Sequence, residues 1–319
     1  MSDIELENIA YEKPQEENND INFNGSWENK NRSITAAAVT GLIGIGVIYF
    51  NAQSILMMVF AAVYKAIYDI NIPSNYIDKM KAISVQLKTP ALIALVLSEF
   101  IFMLLPTLWI VKKWHTKEVR KYLRVQNFSV KETSLAILIT FFLLPLSYYL
   151  SYSILQKFKM PEIFKTLGSQ LFSANSTAQF VVIIFVVAVT PAICEEVFFR
   201  GYFQRTLERA LGTKSFIITG ILFGLFHMQP LSLISLSILG LLFSYFYYRS
   251  RSIFPSSAAH FTNNFFAVLF LYIQSIKINF NINSDGSIPL IMVAASFLVA
   301  AWLFMIYLKI TKNVSAARL

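Results

Sequence analysis

Residues 178–203 read AQFVVIIFVVAVTPAICEEVFFRGYF. From Phe180 to Cys194 the stretch carries no charge, and then Glu195, Glu196 and Arg200 follow before the apolar character ends. A run of ~20 apolar residues is what a helix needs to cross the hydrocarbon core of a bilayer. An ionisable side chain inside such a span costs a few kcal/mol or more on insertion scales, so it marks a functional position by default. The stretch therefore bears on two questions together: whether the chain is a membrane bundle, and where in that bundle its chemistry lies.

The rest of the chain answers the first question. It has 319 residues, 56% hydrophobic and 14% charged, with a mean hydropathy of +0.56. Soluble domains carry roughly 25% charged residues. Apolar runs predict spans near 33–60, 90–111, 133–155, 178–203, 214–229, 231–248, 252–274 and 288–309. The expected fold is all-α, a polytopic bundle of about eight transmembrane helices. Asn51, Ala52 and Gln53 mark a candidate break in the first span. Pro106, Pro145 and Pro191 fall inside spans, where neighbouring helices and hydroxyls can satisfy the freed carbonyls. No internal repeat at a fixed period is visible. A single transmembrane domain is expected over 33–311, with its motif core at 178–275. Residues 1–32 form an acidic, Asn-rich tail with the composition of a disordered segment, and they lack the basic start and short apolar core of a secretion signal. Residues 157–174 read equally as an interfacial helix and as an ordinary loop.

Charge sets the orientation. The net charge of +9 combines an acidic tail with a basic remainder. With the N-terminus in the cytoplasm, the inner segments hold nineteen Lys and Arg and the outer ones eight. That asymmetry follows the positive-inside rule and places both termini on the cytoplasmic side of a cell membrane. It also accounts for the basic surplus without nucleic acid as a partner. The single cysteine, Cys194, excludes an internal disulfide framework.

The second question turns on a short set of polar residues. Glu99 lies in the second span; Glu195, Glu196 and Arg200 in the fourth; His227 in the fifth; His260, Asn263 and Asn264 in the seventh. His115 falls in a basic loop and reads as solvated. Glu196 and Arg200 are four apart, so they share a helix face and can pair. Glu195 points elsewhere without that arginine and is the candidate reactive acid. Asn264 lies one turn after His260, and Phe223 one turn before His227. A carboxylate, two imidazoles and a carboxamide from three helices can hold a water: Glu195 and His227 to take its proton, His260 and Asn264 to donate to an oxyanion. Glu195, His227 and His260 could equally hold zinc with an open position. Taken singly, each residue reads as interhelical glue. Glu99 reads as an interhelical partner of unknown role. A proton- or ion-coupled transporter using Glu99, Glu195 and the histidines stays open on these residues, as does a non-catalytic scaffold. The motifs HExxH, GxSxG, GxGD and a Walker loop are absent. One tension remains: at ~1.5 Å per residue, Glu195 and His227 fall at depths differing by roughly 10 Å in upright helices. A tilt, the kink at Pro191, or a fourth helix running on to Leu211 would close that gap.

The motifs Glu195–Arg200 (EEVFFR), Phe223–His227 (FGLFH) and His260–Asn264 (HFTNN) run in the order EExxxR, FxxxH, HxxxN. In this the chain resembles the CPBP family, also called Abi, which holds CAAX prenyl proteases and bacteriocin-processing or immunity proteins. The resemblance implies an intramembrane endopeptidase with a cavity open to membrane and cytoplasm, acting on a peptide or membrane-tethered protein in the lipid bilayer. It implies that Glu195 and His227 activate water, that His260 and Asn264 form an oxyanion hole, and that Glu196 and Arg200 support them. It admits both a metal and a metal-free mechanism, and it points to a role in peptide maturation or bacteriocin self-immunity.

Overall fold

The computed structural model describes residues 21–68, 85–126, 128–157, 171–229, 232–276 and 288–317, with side chains as far as 311. Residues 158–170, most of the candidate interfacial segment, lie outside these, as do residues 1–20. Among the described residues every long element is a helix: α1 Ile34–Ile67, α2 Lys88–His115, α3 Val130–Lys157, α4 Thr177–Leu211, α5 Lys214–Phe226, α6 Leu233–Ser250, α7 Ile253–Ser275 and α8 Leu290–Ala317. Backbone groups in hydrocarbon must find partners within their own segment, which is why such apolar runs become helices. Six of the eight are long and apolar enough to cross a membrane. Of the others, α5 has only 13 residues, and α7 carries His260, Thr262, Asn263 and Asn264. The chain is a multi-pass helical membrane bundle.

The polar residues that seemed to break α1 do not. Asn51 Nδ2 donates to Val47 O at 2.7 Å and Ser54 Oγ to Phe50 O at 2.8 Å, so both bond back onto their own helix. Serines at the helix starts accept backbone hydrogen bonds that would otherwise go unmade: Ser33 from Ala36, Ser176 from Gln179, and Ser252 from Phe254. Two spans contain turns of π-helix, at Ser98–Leu104 and Val111–His115 in α2 and at Ile184–Val189 and Val197–Gln204 in α4. Such turns are rare and gather at functional positions. Pro106 and Pro191 each stand second in the α-helical stretch that follows a π turn.

Packing gathers two larger cores and a smaller one, in which Leu92 of α2, Ile183 and Val186 of α4 and Val268 of α7 meet. One core joins α1, α2, α4 and α5 through Tyr49, Met103, Phe198, Phe199, Tyr202 and Phe223. A second joins α3, α6, α7 and α8 through Ile139, Leu239, Phe243, Phe246 and Tyr307. Across the seam, α5 and α6 pack backbone to backbone. A Cβ on Gly220 would meet the Leu241 backbone at 2.6 Å, so no larger residue fits there. On α4, Arg200 Nη2 donates to Gly240 O at 3.2 Å and, one turn on, Gln204 Nε2 to Ser244 O at 2.8 Å.

Two expectations are corrected at the N-terminal side. Residues 21–32, assigned to the disordered tail, are docked on the end of α2. Gly25, Ser26 and Trp27 donate backbone N–H groups to His115, Lys113 and Trp114 carbonyls, and Trp27 packs on Trp114. His115 is fully buried rather than solvated: its ring stacks on Tyr122 and its Nδ1 lies 2.6 Å from Glu28 Oε1. Arg209 of α4 forks onto the same carboxylate at 2.6 and 3.1 Å. Burial on its own would push the Glu28 carboxyl up, but hydrogen bonds from His115 and Arg209 outweigh it and hold the group at about 2.

Candidate active site

The helix that carries the paired acids runs unbroken from Thr177 to Leu211. That length, with α5 starting three residues later at Lys214, brings Glu195 level with the end of α5 and removes the depth mismatch. Val197–Gln204 is a π turn, yet the four-residue spacing still joins Glu196 to Arg200, with Nη1 to Oε1 at 2.6 Å and both side chains fully buried. Three aromatic rings surround that guanidinium, those of Phe223, Phe243 and Phe199 at 4.4, 5.6 and 5.9 Å.

His227 is the residue that ends α5. The next residue, Met228, takes a left-handed conformation (φ 50°), which stops the helix at a strain cost of roughly 1 kcal/mol for a side chain that is not glycine. Its position lets the imidazole serve its own helix: Nδ1 lies 2.9 Å from Phe223 O, one of the last-turn carbonyls left open. A carbonyl can only accept, so Nδ1 bears the hydrogen and the neutral ring presents a bare Nε2. That Nε2 stands 3.9 Å from Glu195 Oε2.

His260 reaches the same acid from α7. Its ring stacks on Phe243 at 5.3 Å and meets the edge of Phe223 at 5.6 Å. Its Nδ1 lies 3.0 Å from Glu196 Oε1, and its Nε2 lies 4.0 Å from Glu195 Oε2. One carboxylate oxygen thus faces two imidazole nitrogens across gaps of one size. Asn264 is also close to α4, but it faces the backbone. Pro191 has no N–H to return to the carbonyl four residues back, Val187 O. Asn264 Nδ2 donates to that oxygen at 2.9 Å, while Asn263 Nδ2 donates to Asn264 Oδ1 at 3.0 Å. The amide keeps a second N–H beyond the one on Val187.

Metal binding can be tested on these distances. An ion bonded at ~2.1 Å to two atoms 3.9–4.0 Å apart sits at an angle of roughly 140°, far from the tetrahedral value. A water with hydrogen bonds of ~2.8 Å to the same atoms subtends roughly 90°. Among the described residues no group of three or more His, Cys, Asp and Glu is placed to hold a metal ion. Glu195, His227 and His260 as positioned therefore do not fit the zinc site left open by their residue types.

Glu99 belongs with this group, although local spacing could not assign it. It is 1% exposed, sits at the start of the first π turn of α2, and lies within hydrogen-bonding reach of Glu195. Tyr49 of α1 donates to Glu99 Oε1 at 3.2 Å. The one sequence signal was an acid inside an otherwise apolar span.

Carboxylates and imidazoles gathered between the helices of a membrane bundle are groups that can hold and polarise a water. Residues 177–266, the segment holding all three motifs, match the family described as type II CAAX prenyl endopeptidase Rce1-like. No curated protein and no solved structure matches the chain.

Proposed function

We propose that the chain is a multi-pass cell-membrane endopeptidase, with both termini cytoplasmic, that hydrolyses a peptide bond with a water held by Glu195 and His227. The observation that carries the reading is the gap of 3.9 Å between His227 Nε2 and Glu195 Oε2, both acceptors with His227 neutral. A water between them donates one hydrogen to each and turns its lone pairs outward. As its oxygen bonds to the carbonyl carbon, one O–H bond breaks and Glu195 receives the proton. That proton passes to the amine as the C–N bond breaks. In its charged form His260 donates from Nε2 to the oxyanion, its Nδ1–H held by Glu196, whose charge Arg200 balances. The second N–H of Asn264 completes the oxyanion site.

The substrate is a peptide or a membrane-tethered protein. The family description names a CAAX prenyl endopeptidase, and a cavity of about 870 Å³ is lined by Phe141, Pro145, Leu239, Phe266, Phe270 and Asn263, the neighbour of Asn264 on α7. An apolar space of that kind suits a lipid-modified tail. Purified protein in proteoliposomes is offered matched peptides with and without a prenylated cysteine, in water enriched in oxygen-18. The expected result is cleavage with one heavy oxygen in the new carboxyl group, lost in Glu195→Ala and His227→Ala. Equal cleavage by Glu195→Ala and the unsubstituted protein would end the reading. Preference for the prenylated peptide would identify the substrate class; indifference would point to peptide maturation or bacteriocin self-immunity. Retained cleavage after chelator treatment would agree with the water geometry.

A further inference from the structure

Glu99 is an acid that the three motifs do not use. It reaches the site from α2 and lies against Glu195. Tyr49 occupies its Oε1, while Oε2 is buried and meets no hydrogen-bond donor; Glu195 Oε2 is in the same position. The groups facing Glu99 are Tyr49 of α1 and Cys194 and Glu195 of α4. None of that set is a cation. Beyond it, Glu195 faces His227 of α5, His260 of α7 and the charge of Arg200. Two carboxylates within hydrogen-bonding reach and out of water do not both ionise. Such a pair titrates as a unit, and unequal surroundings decide which member keeps the proton. Here the charge of Arg200 acts on the Glu195 side of the pair, whereas Glu99 sees only neutral or acidic neighbours.

We propose that Glu99 is a positioning residue for Glu195: it keeps one proton and donates it as an O–H hydrogen bond, so that Glu195 stays charged and aimed at the gap beside His227 and His260. The inference rests on the hydrolytic role of Glu195, but the proton itself can be read without turnover.

The test uses the full chain in proteoliposomes with Glu99→Gln and Glu99→Leu. The infrared difference between unsubstituted protein and Glu99→Gln should contain a protonated-carboxyl band that shifts on deuteration. In the pH profile of kcat/KM, Glu99→Gln keeps an N–H donor, so its acid limb should stay in place with activity within about threefold. Glu99→Leu removes the donor, so its acid limb should move up by about one pH unit or more. At a fixed pH on that limb the loss is then about tenfold, recovered by raising the pH. A merely structural role would lower the Leu variant by one factor at every pH. That result, an unmoved limb, or a difference spectrum without the carboxyl band would overturn the proposal. If Glu99→Leu does not fold, the Gln spectrum decides. If the unsubstituted protein cleaves nothing, the protease reading fails separately while the band still reports the shared proton.

Discussion

Glu196 and Glu195 are adjacent on α4 and face opposite surroundings. Glu196 is fully buried, and its Oε1 is shared by Arg200 and His260 at 2.6 and 3.0 Å. Glu195 is 13% exposed at its side chain, and its Oε2 stands 3.9 and 4.0 Å from two imidazole nitrogens, too far for direct bonds. One acid closes a network across the seam between the two larger cores. The other leaves a space one water wide. A buried charge in direct contact with a counter-charge holds structure, whereas one whose partners stand off by the width of a water is set up for chemistry.

The comparison breaks first on activity. Glu195→Gln keeps volume and removes the base, so cleavage should fall by roughly 10²–10⁴-fold. Its melting temperature in detergent should stay close to that of the unsubstituted protein. An active Glu195→Gln, or one that does not fold, would mean the open side is structural after all.

Glu196→Gln is the converse. It strands the Arg200 charge among three rings, and breaking a buried ion pair from one side costs roughly 3–5 kcal/mol. Chemical or thermal unfolding should show Glu196→Gln as clearly the less stable of the two variants. The reverse order would overturn the division between the acids.

How much of this was legible in the sequence depends on distance along the chain. The pairing of Glu196 with Arg200 follows from four-residue spacing and survives even though a π turn begins between them. Eight helices could be read because apolar runs in a bilayer have one way to satisfy their backbones. The partnership of Glu99 with Glu195 joins residues on different helices, and no local period encodes it. Hydropathy has no feature that marks a π turn, so the turns that set the facing of Glu99 and Arg200 were invisible. His115 and residues 21–32 misled for another reason. A polar composition was read as solvated, yet Glu28, His115 and Arg209 satisfy one another in a buried cluster.

That cluster offers a milder contrast with the site, since it lies where α2 ends at His115 and titrates in an accessible range. Glu28 is held at about 2 against an ordinary value of 4.5. A carboxyl whose folded value is depressed stabilises the fold above its ordinary value and loses that contribution as the pH falls toward its folded value. The contribution is therefore complete above pH 4.5 and fades between 4.5 and about 2, with a ceiling of about 3 kcal/mol. Melting of the unsubstituted protein and Glu28→Gln should differ at pH 7 and converge by pH 2. A difference that is the same at both would show that the docked segment contributes by packing rather than by charge.

The smallest effect concerns Asn264, the residue that links the two sides through the backbone. Its hydrogen bond to Val187 O exists because Pro191 cannot make one, so Pro191→Ala supplies a competing N–H on the same helix. With that N–H bonded to Val187, the Asn264 amide is no longer needed there and loses its fixed direction. Stability should change little, since one hydrogen bond replaces another. Cleavage should fall a few-fold, because an oxyanion donor is useful only when its geometry is set beforehand. The link is isolated by combining Pro191→Ala with Asn264→Ala. If the proline is what positions the amide, the two changes should be coupled by about 0.5–1.5 kcal/mol in transition-state free energy, the double variant being less impaired than the sum. Strict additivity would mean that Asn264 is directed by Asn263 and the bundle alone, and that the kink at Pro191 serves only the path of α4.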